Sequence, residues 1–490
     1  MWNRERLQDL VSERLAGFKF IAVANREPYI HVRSGTELRC IEPDSGVVAA
    51  LDPVMRATGG TWIAHGSGSA DRETADASGR LRVPPGKDAY TLRRIWLTPE
   101  EEDGYYYRFS NGSMWPLCHI VYQRPSFEKD AWTQYVAVNR KFADAVLEEI
   151  GSQRAIVFIQ DYHFALLSKF IKEKLPGTIV FQFWQIPWPN SETFRICPWR
   201  KELLEGLLGN DLIAFHIQHH CNNFLEAVDR ELEARIDRER TGVVMRGSTT
   251  LIRPHPISVD FQSLSDAASA PATAARMTDF RKRYHLRDLR VLLSVGRLDY
   301  TKGILERIGA LDRLFAQHPE FIEKIVLVEI GIPSRVRLGA YSRFQGEVES
   351  AILALNTRYR TADWDPVIFF QEHQDRPSLL AWYRMADVCM VTSLHDGMNL
   401  VAKEFVAARS DARGTLLLSN FTGAAREFTQ AILANPYAVD ELADRLHSAL
   451  TMPEAEQESR MTQMREAVRQ HNVYRWAGKL IEQAARLEPS

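Results

Sequence analysis

The sequence predicts an α/β chain made of two βα-alternating halves, and three observations lead there. Its 490 residues exceed what one hydrophobic core supports, so two large domains are expected. Its strand candidates are continuous apolar runs rather than alternating ones, the pattern of parallel sheets covered on both faces. After the Ala- and Ser-rich run 265–273, which reads as an interdomain linker, the sequence of strand, polar turn and helix starts again. The expected boundaries are 1–258, 259–470 and a closing helix, 471–490, that returns to the first domain.

Taken in order, 18–24 is the first buried strand, and Pro28 stops regular structure just beyond Arg26. Gly46 precedes an apolar helix and lets backbone approach a ligand closely. Residues 59–66 read as turn, strand, turn, and the polar stretch 68–88 as an exposed loop or hairpin. The aromatic cluster 105–117, with Tyr106 and Trp115, has rings and polar tips that suit a sugar pocket; plain core packing would use the same rings. A helix at 132–150 leads to a buried strand at 155–159, which ends at Asp161. A helix over 165–175 and a strand over 178–184 follow, the latter ending at Gln185. Helix 202–208 and strand 211–216 come next, then a mixed-charge run, 226–240, that reads as a solvated helix face, and 249–253 closes this half. In the second half the helix 277–284 precedes strands at 291–295, 324–330, 367–370 and 388–391. Helix 400–408, strand 415–419, a tight turn at 421–425 and a helical region from 439 complete the chain.

Composition excludes several classes. With 45% hydrophobic and 25% charged residues the chain is globular. A net charge of -2 speaks against a global nucleic-acid footprint, so any anion site is local. No apolar run approaches the ~20 residues of a membrane span, and residues 1–14 lack the apolar core of a signal peptide. The five cysteines are scattered and read as reduced core residues of a cytoplasmic chain. GxGxxG, P-loop and metal-ligand spacings are absent. His219, His220 and Cys221 are adjacent on a helix and point in different directions, which argues against a shared metal.

The candidate chemistry falls at strand ends. Arg297 and Lys302 flank a strand-to-helix turn near Gly303 and suit a diphosphate clamp, the first as a fork and the second as a point charge. Beyond 388–391, Asp396 can grip a hydroxyl, the amides of Met398, Asn399 and Leu400 can hold a phosphate at the helix start, and Glu404 can accept from two sugar hydroxyls. An ordinary turn, with Asp as cap and Glu as a solvated first-turn acid, would leave the same residues. Asp161 is a candidate catalytic acid or a helix cap, and Arg26 an anion ligand or a surface arginine.

Together these residues resemble the trehalose-6-phosphate synthase family of retaining glycosyltransferases, from about Phe20 to about Tyr474. The most specific runs are Val295-Gly296-Arg297-Leu298-Asp299-Tyr300-Thr301-Lys302-Gly303 and Asp396-Gly397-Met398-Asn399-Leu400-Val401-Ala402-Lys403-Glu404. Asp161-Tyr162-His163, Phe194-Arg195 and Pro198-Trp199-Arg200 support them. The resemblance implies a GT-B fold, two Rossmann-like domains facing each other across a cleft. It implies transfer of glucose from a nucleotide sugar, UDP-glucose or similar, to a phosphorylated acceptor, usually glucose 6-phosphate, giving trehalose 6-phosphate. Retention without a metal or bound cofactor, no nucleic-acid or membrane partner, and compatibility with a homo-oligomer come with it.

By the same resemblance Arg297 and Lys302 are the diphosphate clamp, Glu404 the ribose ligand, and Asp396, Met398, Asn399 and Leu400 contacts to donor sugar and phosphate. Gly46 matches the glycine loop over the donor and Asp161 the acid near the reacting centre and acceptor hydroxyl. Arg26, Tyr106, Trp115 and Arg335 match the acceptor-phosphate pocket. Three positions depart from the family: Gln185, a donor contact, replaces His, Ser45 replaces a second Gly, and His65 stands where Trp is frequent. A transferase with another phosphorylated acceptor (glucosylglycerol-phosphate synthase-like, or a pseudo-glycosyltransferase) and a catalytically silent sugar-phosphate sensor are the alternative readings.

Overall fold

The apolar runs assemble into two separate sheets, each parallel through its centre. The computed structural model describes residues 1–43, 46–286 and 288–487. They form two units, Met1–Ile257 with Val473–Ser490, and Ser258–Asn472.

The first unit carries a ten-stranded sheet. Its central strand, Lys19–Arg26, pairs in parallel with Thr61–His65 on one side and with Ala155–Gln160 on the other. From the former the sheet continues to Tyr90–Ile95, and from the latter through Ile179–Phe183 and Leu212–Phe215 to Ser248–Pro254, all parallel. Antiparallel strands occupy only the edges: Arg80–Val83 at one, Gly242–Met245 and Arg235–Asp237 at the other. The chain thus builds outward in one direction from Lys19–Arg26, returns, and builds in the other. That reversal is a topological switch point, and it lies between Lys19–Arg26 and Ala155–Gln160. The helix Val473–Ala484 packs on this unit through Trp476, whose ring lies 5.1 Å from Phe183 and 6.1 Å from Phe158.

The second unit has a six-stranded sheet, every pairing in it parallel. In spatial order the strands are Val367–Phe370, Ile325–Pro333, Arg290–Leu298, Ala386–Val391, Thr415–Ser419 and Ile432–Ala434. Numbered along the chain this is 3-2-1-4-5-6, the dinucleotide-fold order, with its switch point between Arg290–Leu298 and Ala386–Val391. Leu292, Leu327, Val388 and Leu417 from four of these strands share one core with Leu311, Leu314 and Leu446 of the covering helices. The fold class is α/β with two Rossmann-like units, as the apolar runs predict.

Several local expectations are corrected. Residues 265–273 are no linker: they lie in the helices Phe261–Ser269 and Pro271–Arg283. Alanine is the strongest helix former, and Phe261, Leu264 and Ala268, spaced three and four apart, are buried. The charged run 226–240 is helical only to Glu231; Arg235–Asp237 is an edge strand. The stretch 68–88 supplies the edge strand Arg80–Val83, and regular structure resumes after Pro28 as a hairpin, Ile30–Ser34 with Glu37–Ile41. Four cysteines are buried, but Cys40 is exposed on that hairpin. His219 is exposed on its helix while His220 and Cys221 are buried, so the three diverge. Among the described residues no helix is long and apolar enough to cross a membrane.

Candidate active site

Both loops that follow the two switch-point strands of the second unit carry the predicted donor residues. Arg297 lies within the strand Arg290–Leu298 itself, two residues beyond the apolar run, and Lys302 ends the short turn Tyr300–Lys302. Gly303 then takes φ 60° and starts the helix Ile304–Gln317. A Cβ there would fall 2.0 Å from the Thr392 carbonyl oxygen, so the position needs glycine for space as well as for conformation. This close approach, with the Leu394 amide donating to the Thr301 carbonyl at 2.7 Å, binds the two loops to one another.

Asp299, fully buried between the two cations in sequence, organises the first loop. Its Oδ2 lies 3.7 Å from Arg297 Nη2 and 3.4 Å from Arg335 Nη1. Its Oδ1 accepts from the Thr301 amide at 3.0 Å and the Thr301 hydroxyl at 2.9 Å. Burial pushes this carboxyl up, but Arg297, Arg335 and Lys302 outweigh it and hold it below the usual carboxylate range. Arg335 also donates to the Tyr341 hydroxyl at 2.6 Å. Its backbone is left-handed, φ 52°. It belongs to the second unit and shares a carboxylate with Arg297; Arg26, Tyr106 and Trp115, with which the sequence grouped it, belong to the first.

The second loop meets the first at Lys302, whose ammonium lies 2.6 Å from Asp396 Oδ2. That oxygen also accepts from Ser393 Oγ at 3.2 Å and Asn399 Nδ2 at 3.1 Å. Asp396 is thus a loop organiser as well as a potential hydroxyl acceptor. An ammonium has three donors, and the Asp396 bond uses one. Asn399, at φ 79°, caps the helix Leu400–Ala408 by accepting from the Ala402 amide at 3.1 Å. The helix's first amides, from Leu400 on, have no intrahelical acceptors; with Met398 and Asn399 they form the N-terminal end that suits a phosphate. One turn on, Glu404 Oε2 accepts from the Tyr383 hydroxyl at 2.8 Å, which fixes the carboxylate.

Beneath the loops lies an ion pair that sequence reasoning missed. Arg307 donates to both oxygens of Glu329, 2.9 Å each, and also to Thr392. Both charges are almost fully buried. A glutamate within the otherwise apolar strand Ile325–Pro333 was the available signal, since a buried carboxylate needs a partner. Asp299 was visible inside the quoted motif, though its role as a shared counter-ion was not.

At the switch point of the first unit, Arg26 ends one strand and Asp161 follows its neighbour. Arg26 is exposed. Asp161 adopts φ 69°, and its Oδ1 accepts from the Tyr162 amide at 2.9 Å and the Gln185 amide at 3.2 Å. Gln185 donates its side-chain amide to Gln160 Oε1 at 3.0 Å, so this departure from the family is half engaged within the protein. Tyr106 stacks on His163, centroids 5.7 Å apart and planes 9° apart. Trp115 is 6% exposed and lies 6.0 Å from Tyr162 and 4.0 Å from His119, so most of its ring is core packing. Asp161, Gln185, Tyr106 and Trp115 are linked in this way through Tyr162 and His163. His65 is held to about 4 by burial, so it is neutral at pH 7. Gly46 is the exposed first residue of the helix Gly46–Thr58. Ser45, the other glycine-loop position, lies outside the described residues.

Glu27, the residue after Arg26, belongs to a second unforeseen cluster. Arg94 lies 2.7 Å from Glu27 and 2.8 Å from Asp71, all three with no exposed side-chain surface. Burial first, then the hydrogen bond to Asp71, raises Glu27 to about 8 against the pull of Arg94. Glu27 therefore keeps a proton at neutral pH, and the trio is balanced: one guanidinium, one carboxylate.

The chain matches glycosyltransferase family 20 over residues 18–486. It is 36% identical over 486 residues to a trehalose-6-phosphate synthase of Mycolicibacterium vanbaalenii, covering 97% of this chain and 98% of that one. Among solved structures, a trehalose-6-phosphate protein from E. coli bound with UDP-2-fluoro glucose superposes with a TM-score of 0.85 at 29% identity, covering 96% of this chain and 99% of that one. An α,α-trehalose-phosphate synthase (UDP-forming) from Burkholderia xenovorans, in complex with glucose-6-phosphate, gives 0.85 at 27% identity and covers 95% and 99%. By sequence and by its two GT-B-type Rossmann units, the chain belongs to glycosyltransferase family 20, the trehalose-6-phosphate synthase family of hexosyltransferases.

Proposed function

We propose that this glycosyltransferase moves glucose from a nucleotide sugar, UDP-glucose first among them, to glucose 6-phosphate and forms trehalose 6-phosphate with retention. One observation carries the reading: in the second unit the two family motifs leave the two strands of the switch point, where they meet as Lys302 on Asp396 at 2.6 Å. In the reaction the anomeric C–O bond to the diphosphate breaks, one to the acceptor oxygen forms, and the proton of the acceptor hydroxyl passes to the departing diphosphate. Arg297 and Lys302 neutralise the charge that gathers on the leaving diphosphate, the main electrostatic task. Glu404 takes the ribose hydroxyls. The helix end at Met398, Asn399 and Leu400 takes phosphate, and Asp396 orients both the loop and the hexose. In the first unit Asp161 and Gln185 contact the sugars, Gly46 covers the donor, and Arg26, Tyr106 and Trp115 bind the acceptor, assisted by Arg335.

The relatives bound with UDP-2-fluoro glucose and with glucose-6-phosphate support both substrates. The transfer is proposed to proceed in the cytoplasm without a metal, so a chelator leaves its rate unchanged. The test is turnover by the purified chain with UDP-, ADP- and GDP-glucose against glucose 6-phosphate and glycerol 3-phosphate. Nucleoside diphosphate release and product mass are the readouts. A disaccharide phosphate from UDP-glucose and glucose 6-phosphate is expected. Preference for glycerol 3-phosphate would reassign the acceptor, and no turnover of any pair would refute the activity.

A further inference from the structure

Away from the switch-point loops, the second unit carries a compact set of metal-ligating side chains: His318, Glu320 and His447. Their ligand atoms all lie within 4.8 Å of one another. His318 Nδ1 is 3.2 Å from Glu320 Oε1. A tetrahedron built on metal–ligand bonds of about 2.0 Å has edges of about 3.3 Å, so this pair already stands at coordination spacing. The imidazoles of His318 and His447 stack with centroids 4.0 Å apart and planes 20° apart, so their in-plane lone pairs run side by side, and sharing one ion turns at least one ring about its side-chain torsions. Phe321 packs edge-on against both rings, at 6.3 and 5.8 Å.

The platform is rigid. His318 is the C-cap of Ile304–Gln317, Glu320 sits in the turn Pro319–Phe321, and His447 lies on the helix Val439–Thr451. Leu314 and Phe315 on one side and Leu446 and Leu450 on the other belong to the same buried core. The core fixes the backbone positions of the three ligands, and binding then needs only rotation of their side chains. The carbonyl end of Ile304–Gln317 adds a negative dipole terminus beside His318, which favours a cation there.

We propose that His318, Glu320 and His447 form a surface site for a borderline transition-metal dication, Zn²⁺ in the first instance, which clips the two helices together. Two imidazoles and one carboxylate select such an ion over Mg²⁺ or Ca²⁺, which prefer all-oxygen shells. Three protein ligands leave a fourth position to water. The site is independent of the transfer reaction and of its proposed substrates.

The experiment is calorimetric titration of ZnCl₂ into the full chain, made without a polyhistidine tag and dialysed against chelator. One saturable site is expected, and Zn²⁺ raises the thermal midpoint by linkage. His318→Ala and His447→Ala each weaken binding about tenfold or more and abolish the thermal shift. His447→Gln, which keeps a good helix former at that position, is the second variant should the alanine disturb the helix, and circular dichroism reports whether each folds. Absence of saturable Zn²⁺ binding overturns the assignment, as does binding that all the histidine variants retain unchanged.

Discussion

Asp299→Asn is the sharpest probe of the clamp, because it removes one charge and almost no volume. At an effective dielectric of about 20, a carboxylate 3.4 Å from a guanidinium gains about 5 kcal/mol of gross attraction. Arg335 is 5% exposed and would lose its carboxylate while keeping its bond to the Tyr341 hydroxyl. Breaking a buried pair from one side costs about 3–5 kcal/mol. Arg297 is 40% exposed and turns to water instead, so its share of the stability loss is small. Asparagine can still accept from Thr301, which preserves the turn. The expected result is a loss of about 3 kcal/mol in urea unfolding together with a fall in kcat. Arg297 released to solvent no longer meets the diphosphate in place, and the loss of one such donor costs about a hundredfold or more. Steady-state nucleoside diphosphate release, with the unfolding curve measured on the same preparation, reads both quantities. A variant as stable as the parent and within about threefold of its kcat would refute the view that Asp299 positions the cations.

Three further substitutions address separate parts of the site. Lys302→Ala should lower turnover by about a hundredfold or more, since it deletes a transition-state donor; near-parental turnover removes the lysine from the mechanism. Arg335→Ala should raise the acceptor KM more than the donor KM, and the reverse order would assign Arg335 to the donor along with its carboxylate partner Asp299. Glu27→Gln should change the pH dependence of stability. The folded protein holds the Glu27 proton up to about 8, whereas an unfolded glutamate releases it near 4.5. Between those values the native state binds the extra proton, so the parent loses stability as pH rises, by at most about 1.4 kcal/mol per pH unit for one proton. The neutral glutamine lacks this slope, and denaturant midpoints from pH 5 to 8 that fall equally in both proteins would contradict the assignment.

The central strands of both sheets were legible as apolar runs, and so were the loops that carry Arg297, Lys302 and Asp396, whereas Tyr90–Ile95, the antiparallel edge strands and Ile432–Ala434 were not. Strand order was not. It depends on which strand pairs with Lys19–Arg26 or Arg290–Leu298, and a parallel strand buried on both faces shows nothing in its own residues about its neighbour. The switch points, which explain why the strand of Arg26 lies beside the strand that leads to Asp161 and why Arg297's loop meets that of Asp396, emerge only from that pairing. Partnerships across elements were hidden for the same reason. Arg307 and Glu329 sit on a helix and a strand, and Glu27, Asp71 and Arg94 on three separate segments. The Ala/Ser run at 265–273 misled because composition alone cannot separate a linker from a helix anchored by a few residues, here Phe261, Leu264 and Ala268.

Arg297, Arg335 and Lys302 do not stand free to await an anion; each already rests on a carboxylate. That arrangement looks self-defeating for phosphate binding until the charges are compared. Arg297, Arg335 and Lys302 share Asp299 and Asp396, so one positive charge remains in surplus within a chain of net charge -2. The surplus sits at Asp299, which two guanidiniums share, while Lys302 and Asp396 balance one another beside the start of the helix Leu400–Ala408. The carboxylates fix the direction of the cations before any ligand arrives, Asp299 from full burial and Asp396 by sharing one oxygen among Lys302, Ser393 and Asn399. A diphosphate then meets donors whose orientation is already set, and the charge it gains as the glycosidic bond breaks is stabilised without reorganisation of the loop. Free lysines and arginines at the same positions would bind an anion in many poses. Paired ones hold it in the pose from which the sugar can leave.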